Sequence, residues 1–135
     1  MVIAFIPVRG GSKSIPLKNI KPFCGKPLVC WSIEALEQCN EVDEIIVATD
    51  SDKIEEVVSN QLYNKTKVYR RSVENACDTA STESVMLEYA NYAQLPSDCV
   101  FILVQATSPL TGTQHFAEAL AMYRKGEFDS ILTCV

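Results

Sequence analysis

The stretch Val2-Ile3-Ala4-Phe5-Ile6-Pro7-Val8-Arg9-Gly10-Gly11 decides the fold. An unbroken apolar run leaves no face for water, the pattern of a strand buried on both sides, and the Pro-Val-Arg-Gly-Gly break ends it. Outward from it, helical and strand periods alternate. Pro27–Cys39 puts Leu28, Trp31, Ala35, Leu36 and Cys39 on one helical stripe, with Pro27 suited to the first turn. Glu44–Thr49 is a second β-branched strand. Asp50 and Asp52 then open a helix whose inward face is Ile54, Val57, Val58 and Leu62, with Asp52 and Glu55 favourable at its positive end.

Lys67–Arg70 reads as a short strand, and Ser81–Gln94 as a helix with Val85, Met86, Tyr89, Ala90 and Ala93 inward. Cys99–Gln105 is a further strong strand. Thr111-x-x-Gln114 has the form of a capping box before a helix carrying Phe116, Ala119, Leu120 and Tyr123, which Gly126 ends. Ser130–Val135 begins another apolar strand. Strand and helix in alternation, with short connections, predict an α/β fold: a mostly parallel sheet with helices on both faces. Such sheets bind ligands at the carboxyl ends of their strands. Three polar clusters fall there: Arg9–Asn19, Thr49–Asp50 and Gln105–Thr113.

With 135 residues, 47% hydrophobic and 21% charged, the composition is that of one globular domain, residues 1–135, and excludes disorder, collagen and coiled coil. The longest apolar stretch, Met1–Val8, is far short of the ~20 residues a bilayer requires, so no membrane span is expected. Nor does it read as a signal peptide, since Arg9 and Lys13 follow where small cleavage-site residues belong. The chain's end on apolar Ile131–Val135 predicts truncation of a longer protein. Cys24, Cys30, Cys39, Cys77, Cys99 and Cys134 form no CxxC pair and lack metal-ligand spacing; they read as reduced thiols, mostly small core residues, of a cytoplasmic protein.

Net charge is −5, which disfavours nucleic acid as a partner. The charge is uneven, however: Arg9, Lys13, Lys18, Lys21 and Lys26 give the first 33 residues +5 with no acid among them, leaving −10 for the remainder. A basic head on an acidic body points to a local anion site. In Arg9-Gly10-Gly11-Ser12-Lys13-Ser14-Ile15-Pro16-Leu17-Lys18-Asn19, glycines let backbone N–H groups approach an anion. Ser12 adds a hydroxyl, and Arg9, Lys13 and Lys18 add cations fit for a triphosphate. Neither GxxxxGK[ST] nor GxGxxG occurs, and a solvated basic loop is the plain alternative.

Asp78-Thr79-Ala80-Ser81-Thr82 reads either as a helix cap or as a wall that hydrogen-bonds a base or ribose. Gln105-Ala106-Thr107-Ser108 ends a buried run where an amide can face a ligand, although strand ends are often polar anyway. Asp50 either touches a metal or ribose or caps the next helix. His115, alone in the first turn of a helix, is a surface or cap residue with no assigned role.

Taken together, Phe5–Lys13, Ile15–Asn19, Gly25–Leu28, Val47–Asp50, Asp78–Ser81 and Leu103–Leu110 resemble, in order and spacing, the acylneuraminate cytidylyltransferases (CMP-sialic acid synthetases), in their N-terminal part. The resemblance implies a Rossmann-like fold of the nucleotide-diphospho-sugar transferase type. It implies an enzyme that joins CTP to a nonulosonic-acid-type 2-keto sugar acid, releasing pyrophosphate. By position it assigns Arg9, Ser12, Lys13 and Lys18 to the triphosphate, with Arg9, Lys13 and Lys18 catalytic, and Asn19 to the ribose. Val8 and Gly11 become further nucleotide contacts, Arg71 and Ala80-Ser81-Thr82 read the cytosine, and Gln105, Thr107 and Ser108 meet the sugar. It also implies Mg²⁺, held by carboxylates beyond this chain, and a homodimer when full-length. A non-catalytic nucleotide-binding module and a Rossmann-like domain for a phosphorylated metabolite remain as alternatives.

Overall fold

Side chains along a strand alternate between faces, so a strand apolar at every position needs cover on both. Residues Val2–Pro7 form that strand, β1. Val2, Ala4, Ile6 and Val8 enter one core cluster, and Ile3 and Phe5 the other. The computed structural model describes residues 1–11, 15–77, 79–126 and 129–133. After β1 come a 3-10 turn (Lys18–Ile20), a small hairpin of β2 (Pro22–Phe23) and β3 (Lys26–Pro27), and helix α1 (Leu28–Glu37). Strand β4 (Glu44–Thr49), helix α2 (Asp52–Ser59), strand β5 (Thr66–Arg70) and helix α3 (Thr82–Tyr92) follow. Strand β6 (Val100–Leu103) and helix α4 (Thr113–Tyr123) complete the order.

The main sheet runs β5-β4-β1-β6, all parallel, with Phe5 opposite Ile46 on one side and Leu103 on the other. The α/β architecture is the expected one, with an uneven distribution of cover. Helices α1, α2 and α4 fill one face through Val29, Ile33, Leu36, Ile54, Val58, Phe116 and Leu120. On the other face α3 packs Val85 and Tyr89 against Ile3, Phe5, Ile46 and Ala48. There Phe5 is fully buried between the rings of Tyr89 and Phe101, at centroid separations of 5.5 and 5.3 Å. Because the chain builds outward from β1 to β4 and β5 before crossing to β6, strand order reverses at the β1/β6 boundary, where a crevice opens.

Several local expectations are corrected. Helix α2 ends at Ser59, so Leu62 lies outside it and is 97% exposed; Asn60 at the C-cap halts the turn before the apolar period reaches Leu62. The cap of α4 is Gly112, whose N–H donates to His115 Nδ1 at 2.9 Å, in place of the expected Thr111/Gln114 pair. Residues 130–133 form no strand, because a β-branched run becomes one only with a neighbour to pair with; Cys134 and Val135 lie outside the described residues. Pro27 precedes α1, ending the β2–β3 hairpin, whose Cys24-Gly25 turn has both residues at positive φ (47° and 90°) as a type I′ turn demands. Cys30 and Cys39 are core residues, whereas Cys24 and Cys77 are exposed; no described cysteine is in a disulfide. No helix among the described residues is long and apolar enough to cross a membrane.

Candidate active site at the carboxyl ends of the sheet

A cleft of about 340 Å³ opens at the carboxyl ends of β1, β5 and β6. From the loop after β1 come Arg9, Lys18 and Asn19; from the end of β5 comes Arg71. Ala80, Ser81 and Thr82 precede and open α3, and Gln105, Ala106 and Thr107 follow β6. The clusters flagged after the first and last of these strands therefore share one hollow. Val8 does not line it, being buried in the core beneath, and exposed Gly11 and Ser108 also stand outside the lining. Ser12 and Lys13 lie outside the described residues. The basic head divides: Arg9 and Lys18 face the cleft, Lys21 is exposed, and Lys26 pairs with Glu34 over the Trp31 ring.

Local chemistry positions these groups. Leu17 adopts a left-handed backbone (φ 51°), an unusual state for a side chain of its size, and thereby starts the 3-10 turn that presents Lys18 and Asn19. Asn19 is 8% exposed, and its Nδ2 lies 3.4 Å from the Arg9 carbonyl, tying the two ends of the loop together. Asp50, after β4, accepts a 2.9 Å hydrogen bond from Gly10 N–H. The cap of α2 is Ser51, so the cap reading of Asp50 is corrected: Asp50 anchors the basic loop to the neighbouring strand.

Arg71 donates from Nε to the Ala48 carbonyl at 3.1 Å, folding its guanidinium back over the end of β4. Burial holds its pKa below the usual arginine value; the Asp50 charge opposes that shift, and the like charge of Arg9 adds to it. Two cations thus stand near enough to repel, an arrangement that a bound polyanion relieves. On the facing wall, Ser81 Oγ accepts the Ser84 N–H at 3.0 Å as the cap of α3 while Ser81 also lines the cleft. Cap and wall are the same residue.

The sequence reading missed Pro7, Cys77 and Val85 as lining residues. Cys77 is exposed and its pKa is lowered, chiefly by hydrogen bonding to the Thr79 hydroxyl, 3.2 Å from its sulfur. Its nearness to Asp78–Thr82 in sequence was the available signal.

A parallel sheet with a reversed strand order, and a cationic cleft at its carboxyl edge, define an α/β domain whose candidate ligand site lies at the switch in strand order. A family model described as cytidylyltransferase matches residues 3–135, and the chain belongs to that family. It is 39% identical over 134 residues to the N-acylneuraminate cytidylyltransferase of Oncorhynchus mykiss, covering 99% of this chain and 30% of the relative. It is 32% identical over 127 residues to the CMP-N,N'-diacetyllegionaminic acid synthase of Legionella pneumophila, covering 91% of this chain and 53% of that one. Among solved structures it resembles a CMP:2-keto-3-deoxy-manno-octonic acid synthetase complexed with CTP, with TM-score 0.75, 25% identity, and coverage of 93% of this chain and 48% of that chain. The chain thus spans about a third to a half of these relatives.

Proposed function

We propose that the protein activates a sialic-acid-like 2-keto sugar acid with CTP, forming the CMP-sugar and pyrophosphate. One observation carries this reading: Arg9, Lys18 and Arg71 share a cleft with the Ala80–Thr82 wall and with Gln105 and Thr107. Arg9 and Lys18 suit a triphosphate, the small residues of the wall beside Arg71 leave space for a planar base, and the polar end of β6 suits a hydroxyl-rich acceptor. The names of the three relatives, which concern acylneuraminic, legionaminic and octonic acids, support the acceptor class.

In the reaction the anomeric hydroxyl of the sugar attacks the α-phosphorus, and the bond to the β-phosphate oxygen breaks. Arg9 and Lys18 stabilise the negative charge that grows on departing pyrophosphate, an effect strongest where water is excluded. Asn19 orients the ribose, Ala80–Thr82 reads the cytosine together with Arg71, and Gln105 holds the acceptor.

Among the described residues no three His, Cys, Asp or Glu side chains gather to hold a metal, and Asp50 is engaged by Gly10. The carboxylate ligands of Mg²⁺ and homodimerisation of the full-length protein belong to the proposal through the resemblance alone, and a cytoplasmic location through the reading of the cysteines as reduced thiols.

The test is pyrophosphate release by the full-length protein from CTP with N-acetylneuraminate, a legionaminic acid or a ketodeoxyoctonic acid as acceptor. Release that requires one of these acids supports the reading; no release with any of them contradicts it.

A further inference from the structure

Glu88 lies on α3 behind the cleft and does not line it. Its carboxylate nonetheless gathers donors from the chain that leaves β5. Tyr69 donates its hydroxyl at 2.7 Å and Ser72 its backbone N–H at 3.0 Å; the Ser72 hydroxyl and Asn75 Nδ2 also donate. Four donors on one side chain require an acceptor-only group with several lone pairs, which a carboxylate is and an amide is not. The network continues forward. Ser84 Oγ stands 2.7 Å from Asn75 Oδ1 and 2.8 Å from the Ser81 carbonyl, so its single proton bridges the loop and the cap of α3.

The segment held in this way begins beside Arg71 and reaches Cys77, and Arg71, Cys77 and Ala80–Thr82 all line the cleft. Among the described residues, few other ties hold it. Its own internal backbone bonds are short-range, such as Ala76 N–H to the Val73 carbonyl at 3.3 Å, and Val73 is 87% exposed. A loop with so little apolar burial owes its shape to polar contacts, and here these converge on one carboxylate.

We propose that Glu88 is a positioning residue for base discrimination, fixing the loop that aligns Arg71 with the Ala80–Thr82 wall. The proposal rests on the cytidylyltransferase reading, in which that wall faces the base. Glu88→Gln keeps the side chain's shape but turns an N–H group toward the Ser72 and Asn75 donors, loosening the loop without opening a cavity. A misplaced wall weakens recognition of the cytosine edge and leaves Arg9 and Lys18 in place for the phosphates.

The experiment measures the affinity of the full-length protein for CTP, UTP and inorganic triphosphate, before and after Glu88→Gln. The expected result is a CTP-over-UTP preference that falls at least about tenfold while triphosphate affinity is unchanged, in line with the effect of residues that orient ligand-touching groups. A merely structural role lowers the unfolding temperature and leaves the preference intact; that outcome overturns the proposal but not the proposed function. A wild-type protein indifferent to the base overturns the base-reading wall and the proposal with it. Should Glu88→Gln fail to fold, Ser72→Ala removes a donor from the loop side, leaves α3 untouched, and is read in the same way.

Discussion

Gly10 donates its backbone N–H to Asp50 Oδ1 at 2.9 Å, pinning the loop after β1 to the end of β4. A Cβ at position 10 would stand 2.8 Å from Ser51 Cβ and 3.1 Å from Ser51 Oγ, so the close approach demands glycine. Gly10→Ala forces the loop away from Asp50. The expected cost is about 1–3 kcal/mol in stability, the usual range for overpacking, together with weaker CTP binding. Urea denaturation and calorimetric titration read the two effects; an alanine variant with wild-type values for both contradicts the pinned loop.

Lys18 is half-buried at the cleft, and no described core residue depends on it. Lys18→Ala is expected to cost about 1.5–3 kcal/mol of CTP binding, as for a lost hydrogen bond to a charged group. Its melting temperature should stay within a few degrees of wild type. A variant that melts early but binds CTP normally places Lys18 in the scaffold instead.

Acid stability follows from Glu88. Desolvation raises its pKa, but hydrogen bonds from Ser72, Asn75 and Tyr69 outweigh it and bring the carboxyl to about 2, against 4.5 for a free glutamate. The folded value is the depressed one, so the stabilisation is fully present above pH 4.5 and is lost as pH falls toward about 2. Chemical denaturation across that window should show the wild-type advantage over Glu88→Gln shrinking with acidity. A constant difference contradicts the assignment.

How much of this was legible beforehand depended on the reach of each interaction. Glu44–Thr49 was read to the residue, and β1 nearly so, because burial on both faces imprints itself on consecutive side chains. Arg9, Lys18 and Gln105 stood out because strand ends carrying clustered polar groups mark one edge of a parallel sheet. What escaped was long-range or backbone-borne. The Gly10–Asp50 contact joins residues 40 apart, and the Glu88 network rests on four donors from three residues scattered between Tyr69 and Asn75. The left-handed backbone of Leu17 has no compositional signature, and Leu62 kept helical spacing beyond the point where the helix stops.

Cys77 offers a chemical probe of occupancy. Exposed and lowered in pKa, it should react with iodoacetamide faster than Cys30 and Cys39, which are buried and raised in pKa chiefly by desolvation. CTP in the cleft should slow the reaction at Cys77 alone, as read by peptide mass spectrometry. Equal labelling with and without CTP removes Cys77 from the occupied part of the cleft.

The most direct measurement is a crystal structure of the protein with CTP bound. The account predicts phosphate oxygens within hydrogen-bonding distance of Arg9 and Lys18, and the cytosine against Ala80–Thr82. A triphosphate seated away from both cations, or a base turned toward Gln105, contradicts it.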